Sequence, residues 1–363
     1  MVGTLGRVAI ALVSVLLVAF LVVTSQQAAI GSALFERAVR ERVGRDATVG
    51  LPDGLHVALC GTGSPLPSPG RAGPCTVVIA GNQIFVVDIG EGGGRNISLM
   101  GLPLGRIASV FLTHFHSDHI DGMGPLMLTR WTAGANTAPL PVYGPIGVDQ
   151  IVAGFNAAYA IDDTYRTGHH GPEIAPPAGA GGIARPFVLP EPGQGDMVVV
   201  LEKDGLRVTA IRVDHGPVKP AVGYRFDYKG RSVVISGDTA KSATLTAAAN
   251  GADLLVHEAL QPKLVKMITA SLAAKGMTNL ARITCDIVNY HTTPEQAAEV
   301  ARAAGVKELV LSHIVPSIPP KFFYPAFLSD AATRYSGPIV VGEDGMIFSL
   351  PAGKSDIVQR QLM

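Results

Sequence analysis

Apolar and polar positions change their rhythm several times along the chain. The first long run is Val8–Val23 (VAIALVSVLLVAFLVV), broken only by Ser14 and preceded by Arg7. As a helix it would extend about 24 Å, a little short of the ~20 residues that cross a bilayer core. The same length suits the apolar stretch of a secretion signal, with Val23-Thr24-Ser25 as a small-residue cleavage site. Gln26–Val43 then sets Ile30, Leu34, Phe35, Ala38 and Val43 at helical spacing between charges, which predicts a connecting helix. From Leu55 the pattern becomes short, β-branched runs ended by Gly, Pro or Asp. It predicts strands at Leu55–Leu59, Cys75–Ala80, Ile84–Asp88, Ala108–Thr113, Leu140–Tyr143, Met197–Leu201 and Leu206–Val213. Val222–Tyr228 and Arg231–Ile235 read as a hairpin, followed by strands at Leu254–Val256, Glu308–Ser312, Ile339–Val341 and Met346–Leu350. Helices are predicted at Gly122–Trp131, Ile146–Ala160, Ala240–Ala249 and Pro294–Ala304. Thr167–Gly195, rich in Gly and Pro and holding His169 and His170, is expected to be a surface loop or lid.

Several buried strands stop in polar clusters. In 108–122, ASVFLTHFHSDHIDG, a β-branched run ends in His114, His116, Asp118 and His119. Three imidazoles and a carboxylate packed so closely cannot enter a dry core without partners. One or two divalent cations satisfy them together, because neutral imidazole suits zinc, iron or manganese and a carboxylate adds a hard ligand. Asp214-His215 ends a second strand, Ser236-Gly237-Asp238-Thr239 a third and His257-Glu258-Ala259 a fourth. His291-Thr292-Thr293 precedes a helix, and His313 follows the strand after it. Asp88 ends another strand; orienting a ligating His and capping Gly90–Met100 are both open to it.

The 108–122 stretch resembles the metallo-β-lactamase superfamily at every polar position. GTGSP, Arg71 and VDIGEG resemble its part containing ribonuclease Z, arylsulfatase-like enzymes and cyclic-nucleotide phosphodiesterase-like enzymes. DHGPVKPAVGYRF, SGDT, HEA and HTTPEQAAEVARAAGVKELVLSHI continue the likeness in order. The resemblance implies an α/β fold, an αββα four-layer sandwich, here behind an N-terminal hydrophobic helix. It implies that His114, His116 and His215 hold one metal, Asp118, His119 and His313 a second, and that Asp238 bridges them. Two divalent ions are the expected cofactors, with Zn2+ first and Mn2+ or Fe2+ also compatible. Asp118 would orient a metal-bridging hydroxide, and His291 would pass a proton to the leaving oxygen. His257 and Glu258 would support the site. The expected divisions are 1–25 as signal anchor or signal peptide, 26–50 as connecting helix, 51–353 as hydrolase domain and 354–363 as tail.

Composition narrows the choices. Hydrophobic residues make up 47% and charged residues 16%, so the body is globular rather than disordered. Lys+Arg and Asp+Glu are each 29, so no global field draws in a polyanion. An odd cysteine count argues against a disulfide framework. Cys60 and Cys75 therefore read as small buried hydrophobes, with a bridge left open. Arg37, Arg40, Arg42 and Arg45 follow the apolar segment and complicate its orientation. Export to the cell envelope is favoured, with membrane contact through the N-terminal helix if it is uncleaved. The short His215–Asp238 segment leaves no room for the tRNA-gripping arm that ribonuclease Z carries there. The expected substrate is therefore a small-molecule phosphodiester or sulfate ester, with nucleic acid unlikely and a homodimer left open. The alternative is a ribonuclease Z-type endonuclease trimming tRNA 3′ ends. The intact ligand set disfavours a decayed scaffold.

Overall fold

The computed structural model describes residues 3–318 and 321–363, so Met1 and Val2 of the expected anchor lie outside the described residues. The chain forms two compact units, residues 1–46 and Ala47–Met363. The first holds helices α1 (Thr4–Ser25) and α2 (Gln27–Arg42). Within α1, Gly6–Ser25 spans 20 residues at a mean hydropathy of 2.8 with none of it buried, long and apolar enough to cross a membrane. The charges of α2 pair along its surface, Arg37 with Glu41 at 2.8 Å and Arg40 with Glu36 at 2.5 Å. Such exposed pairs contribute little stability.

The second unit alternates strands and helices. Strands β1 (Gly54–Gly61), β2 (Cys75–Ala80) and β3 (Gln83–Ile89) precede α3 (Gly93–Leu99) and β4 (Ile107–Phe111). Next come α4 (Ser117–Ile120), α5 (Met123–Gly134), β5 (Leu140–Pro145), α6 (Val148–His170) and β6 (Gly182–Phe187). Strands β7 (Met197–Lys203), β8 (Leu206–Arg212), β9 (Val222–Tyr228) and β10 (Arg231–Ile235) lead to α7 (Ala243–Ala248) and β11 (Leu254–Leu260). Helices α8 (Pro262–Ala274), α9 (Thr278–Asp286) and α10 (Pro294–Ala304) precede β12 (Glu308–Val315). Short helices α11 (Tyr324–Leu328) and α12 (Ala331–Arg334) and strands β13 (Ile339–Val341), β14 (Met346–Pro351) and β15 (Val358–Gln361) close the chain.

The strands form two sheets, β15-β14-β1-β2-β3-β4-β5-β6 and β13-β12-β11-β10-β9-β8-β7. Period-2 side-chain alternation explains why both are apolar on both faces. In β3, Phe85 and Val87 face the other sheet while Val86 faces the helices. In β11, Leu254 and Val256 face inward and Leu255 outward. Three apolar layers result. One lies between the sheets, one lies under α3, α5 and α6, and one lies under α7, α10 and α12. This is the expected αββα sandwich.

Four expectations change. The helix expected to stop at Ala160 runs to His170, its last turns held by polar contacts such as Arg166–Asp162 at 3.2 Å and Thr167 Oγ1 to the Ala175 carbonyl at 2.8 Å. The expected loop Thr167–Gly195 contains β6, an edge strand parallel to β5, where Pro186 is tolerated because no further strand needs its N–H. Residues expected as tail pair through β15 with β14. Finally, Cys60 and Cys75 form a disulfide, because antiparallel β1 and β2 bring their Cα atoms to 5.0 Å. The remaining Cys285 is free and exposed.

Candidate metal centre

The polar clusters converge because β4, β8, β10 and β12 all end at one edge of the sandwich. His114, His116 and His119 follow β4, His215 follows β8, Asp238 follows β10, and His313 lies near the end of β12. His313 is the extra residue of a bulge, where Glu258 pairs with Ser312 and Ala259 with Ile314. Its φ of 45° re-aims the imidazole into the centre. A non-glycine residue held there is backbone strain at a candidate site.

Three groups of donor atoms lie within 4.8 Å of one another: His114, His116, His215 and Asp238; Asp118, His119 and His313; and Asp238, His291 and His313. His114 Nε2 is 3.0 Å from His116 Nδ1, and His215 Nε2 is 3.2 Å from the same atom. His119 Nε2 sits 3.3 Å from Asp238 Oδ2 and 3.5 Å from Asp118 Oδ2. His313 Nε2 sits 3.3 Å from Asp238 Oδ2 and 3.4 Å from Asp118 Oδ2.

The far side of each ring sets which nitrogen faces inward. Thr113 Oγ1 donates to Asp88 Oδ2 at 2.7 Å and so accepts from His114 Nδ1 at 3.1 Å. His119 Nδ1 donates to Asp88 Oδ2 at 2.8 Å, and His215 Nδ1 donates to the Tyr290 carbonyl at 3.1 Å. In the neutral rings, each Nε2 then turns its lone pair toward the carboxylates or toward another ring nitrogen. That crowding of lone pairs is repulsive unless a cation lies among them, and this donor set fits divalent metal. His119 Nε2 and His313 Nδ1 are buried atoms without a hydrogen-bond partner.

The titration of the protein groups shows how strongly the carboxylates of this centre favour positive charge. Burial holds His114 well below the ordinary histidine range. For His119 burial also opposes charge, but Asp238 and Asp88 outweigh it and raise the ring well above that range. Burial opposes ionisation of Asp238 too, yet His313 and His119 keep it well below the usual carboxylate range. The centre thus draws in positive charge.

His291 stands beside this cluster, its ring stacked 5.6 Å from that of His313. Its Nδ1 donates to Glu258 Oε1 at 3.1 Å, and the same oxygen accepts from Thr292 N at 3.0 Å and Thr239 N at 3.2 Å. Burial works against its charge, but the Glu258 carboxylate prevails and raises it to about 9. It does not cap α10, which Thr293 and Gln296 close as a capping box. His257 is fully buried, its Nδ1 against the Glu258 carbonyl at 2.8 Å.

Of the two roles open to Asp88, the structure shows the orienting one: it holds His119 Nδ1, while α3 begins after Gly92 with no side-chain cap. Asp238 does not cap α7 either; Ser242 does, accepting from Leu245 N at 3.1 Å. His169 and His170 end α6 as exposed residues. Sequence reading passed over Thr113 and the Tyr290 carbonyl. No spacing rule reveals a backbone acceptor, but a Thr next to a ligating His was a usable signal.

Residues 98–314 match the family model for the Beta-lactamase superfamily domain. A Ribonuclease Z of Mycobacterium bovis (strain BCG / Pasteur 1173P2) is 37% identical over 292 residues, covering 80% of this chain and 96% of the relative. The chain belongs to the metallo-β-lactamase superfamily. Among solved structures, this superfamily member resembles the metallo-β-lactamase fold protein YhfI of Bacillus subtilis, with TM-score 0.56 and 20% identity. That match covers 81% of this chain and 99% of the other. Human tRNase Z, short form, matches with TM-score 0.55 and 23% identity over 82% of this chain and 99% of its own. At such identity these two show the fold alone.

One expectation must be corrected. A small-molecule substrate, with nucleic acid unlikely, conflicts with relatives that carry the name Ribonuclease Z over nearly their whole length. The expectation rested on balanced net charge and on the short His215–Asp238 segment. Net charge sums over the whole surface, whereas a substrate meets one face. The absence of one insertion is weaker information than 37% identity across the whole body.

Proposed function

We propose that this chain is a metal-dependent endoribonuclease of the ribonuclease Z type, hydrolysing a phosphodiester bond at the 3′ side of precursor tRNA. The observation that carries the reading is the 37% identity to a Ribonuclease Z over 96% of that relative.

His114, His116 and His215 would hold one divalent ion and Asp118, His119 and His313 a second, with Asp238 shared between them. Zinc is the first choice for this histidine-rich set. Bound there, the ions supply water activation at neutral pH and stabilisation of charge building on the phosphate oxygens. Asp118 orients the attacking water toward phosphorus. As the new P–O bond forms, the bond to the departing oxygen breaks and needs a proton. His291, its pKa raised to about 9, is charged at neutral pH and so carries one at Nε2 besides the Nδ1 proton held by Glu258. Glu258 keeps the imidazole charged and fixes its angle, the arrangement a general acid needs.

The test is cleavage of precursor tRNA by purified, metal-loaded protein. A bis-aryl phosphodiester and an aryl sulfate are assayed in parallel. Endonucleolytic cleavage at the 3′ side of the tRNA body is expected. Turnover of the small esters with no cut in precursor tRNA would overturn the reading.

A further inference from the structure

Helices α8 and α9 form a hairpin that stands away from the sandwich. Among their residues only Val265 and Thr284 are buried. The two helices meet each other, with Thr269 Oγ1 donating to Thr284 Oγ1 at 2.8 Å. Met277, Leu280 and Ile283 recur every third residue along α9 and are all exposed, and Met267 and Ile268 are exposed on α8. The hairpin's charges are Lys263, Lys266, Lys275, Arg282 and Asp286. Arg282 pairs with Asp286 at 2.9 Å and Lys263 Nζ donates to Ser329 Oγ at 3.2 Å, so among the described residues Lys266 and Lys275 carry the unpaired positive charge. Exposed apolar side chains grouped on one hairpin are a feature of interaction sites.

The composition chooses among partners. The hairpin contains no Phe, Tyr or Trp to stack on bases, so its apolar face does not suit single-stranded RNA. A second copy packed hairpin to hairpin would bring two net-positive surfaces together. Aliphatic side chains with a basic rim match an anionic lipid surface, where apolar groups enter the headgroup boundary and Lys and Arg meet phosphate. The same chain carries the apolar span Gly6–Ser25, long and apolar enough to cross a membrane.

We infer that the α8–α9 hairpin docks on an anionic bilayer. The inference rests on reading Gly6–Ser25 as membrane-crossing and is independent of the substrate. After α9 the chain passes through Ile287–Asn289 to Tyr290, whose carbonyl holds His215, and then to His291. Docking is therefore linked along the chain to the segment that positions His215.

The test uses the full chain in vesicles of phosphatidylcholine and phosphatidylglycerol. In a Cys285→Ser background, Leu280→Cys or, as a distant control, Asn250→Cys carries an environment-sensitive fluorophore. The vesicles contain acyl-brominated lipid as quencher. The label at 280 is expected to be quenched at least two-fold more than the label at 250. Ile268→Glu with Ile283→Glu is expected to remove the difference while the protein still floats with the vesicles. These positions are exposed, so an unchanged Tm verifies folding. Flotation with equal quenching at 280 and 250 overturns docking and leaves the anchor standing. Failure to float overturns both. Label–label self-quenching in detergent at 280 points to a second copy and also overturns the lipid assignment.

Discussion

Asp88 is the hinge-pin of the centre although it touches no candidate ion. Its two oxygens reach Thr113 N at 2.8 Å, Thr113 Oγ1 at 2.7 Å and His119 Nδ1 at 2.8 Å. Through Thr113 it also sets His114. Partners of this kind typically change metal affinity about 10–100-fold when removed. Asp88→Asn is therefore expected to weaken metal binding by about that factor, read by competition with a chelating dye. His291 behaves oppositely. His291→Ala is expected to leave metal content intact and lower turnover about 10²–10⁴-fold, most for poor leaving groups. Unchanged turnover on such substrates would remove His291 from the mechanism. The candidate ligands were legible because β-branched runs ended in His and Asp. The roles of Asp88 and Glu258 were only half legible, since a carboxylate at a strand end serves as cap, ligand or support and only the fold decides. The Tyr290 carbonyl was invisible, because any residue type supplies one.

At the scale of elements, the centre depends on how tightly the strand ends pass each other. Gly237 has φ +61°, and a Cβ there would lie 2.6 Å from the Val222 carbonyl oxygen and 3.0 Å from Thr113 Cβ. Neither neighbour is a flexible tip. Gly237→Ala is expected to destabilise the body by about 1–3 kcal/mol through strain alone. It should also displace Asp238 and Thr113 together, so that thermal stability and metal affinity fall in one variant. A loss of Tm with full metal affinity would separate the two effects. Strands buried on both faces were easy to find, because continuous apolar runs leave few alternatives. Val222–Tyr228 and Arg231–Ile235 match to the residue. Edge elements were harder. β6 carries Pro186 and partial exposure, and the end of α6 is polar without an apolar stripe, so both resemble loop until their neighbours are known.

At the scale of the whole molecule, the metal centre joins the two sheets at one edge. Ions that bind only the folded chain stabilise it by mass action, about 2.7 kcal/mol at a free concentration 100 times Kd. Chelation is therefore expected to lower Tm by several degrees, and restoring zinc should recover it. A Tm indifferent to chelator would show that the clustered side chains do not hold ions in solution. The sandwich itself was foreseen from strand ends arriving in family order. The projecting α8–α9 hairpin was not, because its apolar spacing is that of an ordinary buried helix pair.

The Cys60–Cys75 bond bears on where the body resides. Such bonds persist in oxidising compartments and are rare where glutathione keeps thiols reduced. With Cys285 as the remaining sulfhydryl, the chain carries its own record of its surroundings. If cells are quenched in acid and the denatured protein is alkylated, a body outside the cytoplasm should take up a single adduct. A body facing the cytoplasm should take up one on each of its 3 cysteines. Mass alone would then report whether the body resides in an oxidising or a reducing compartment.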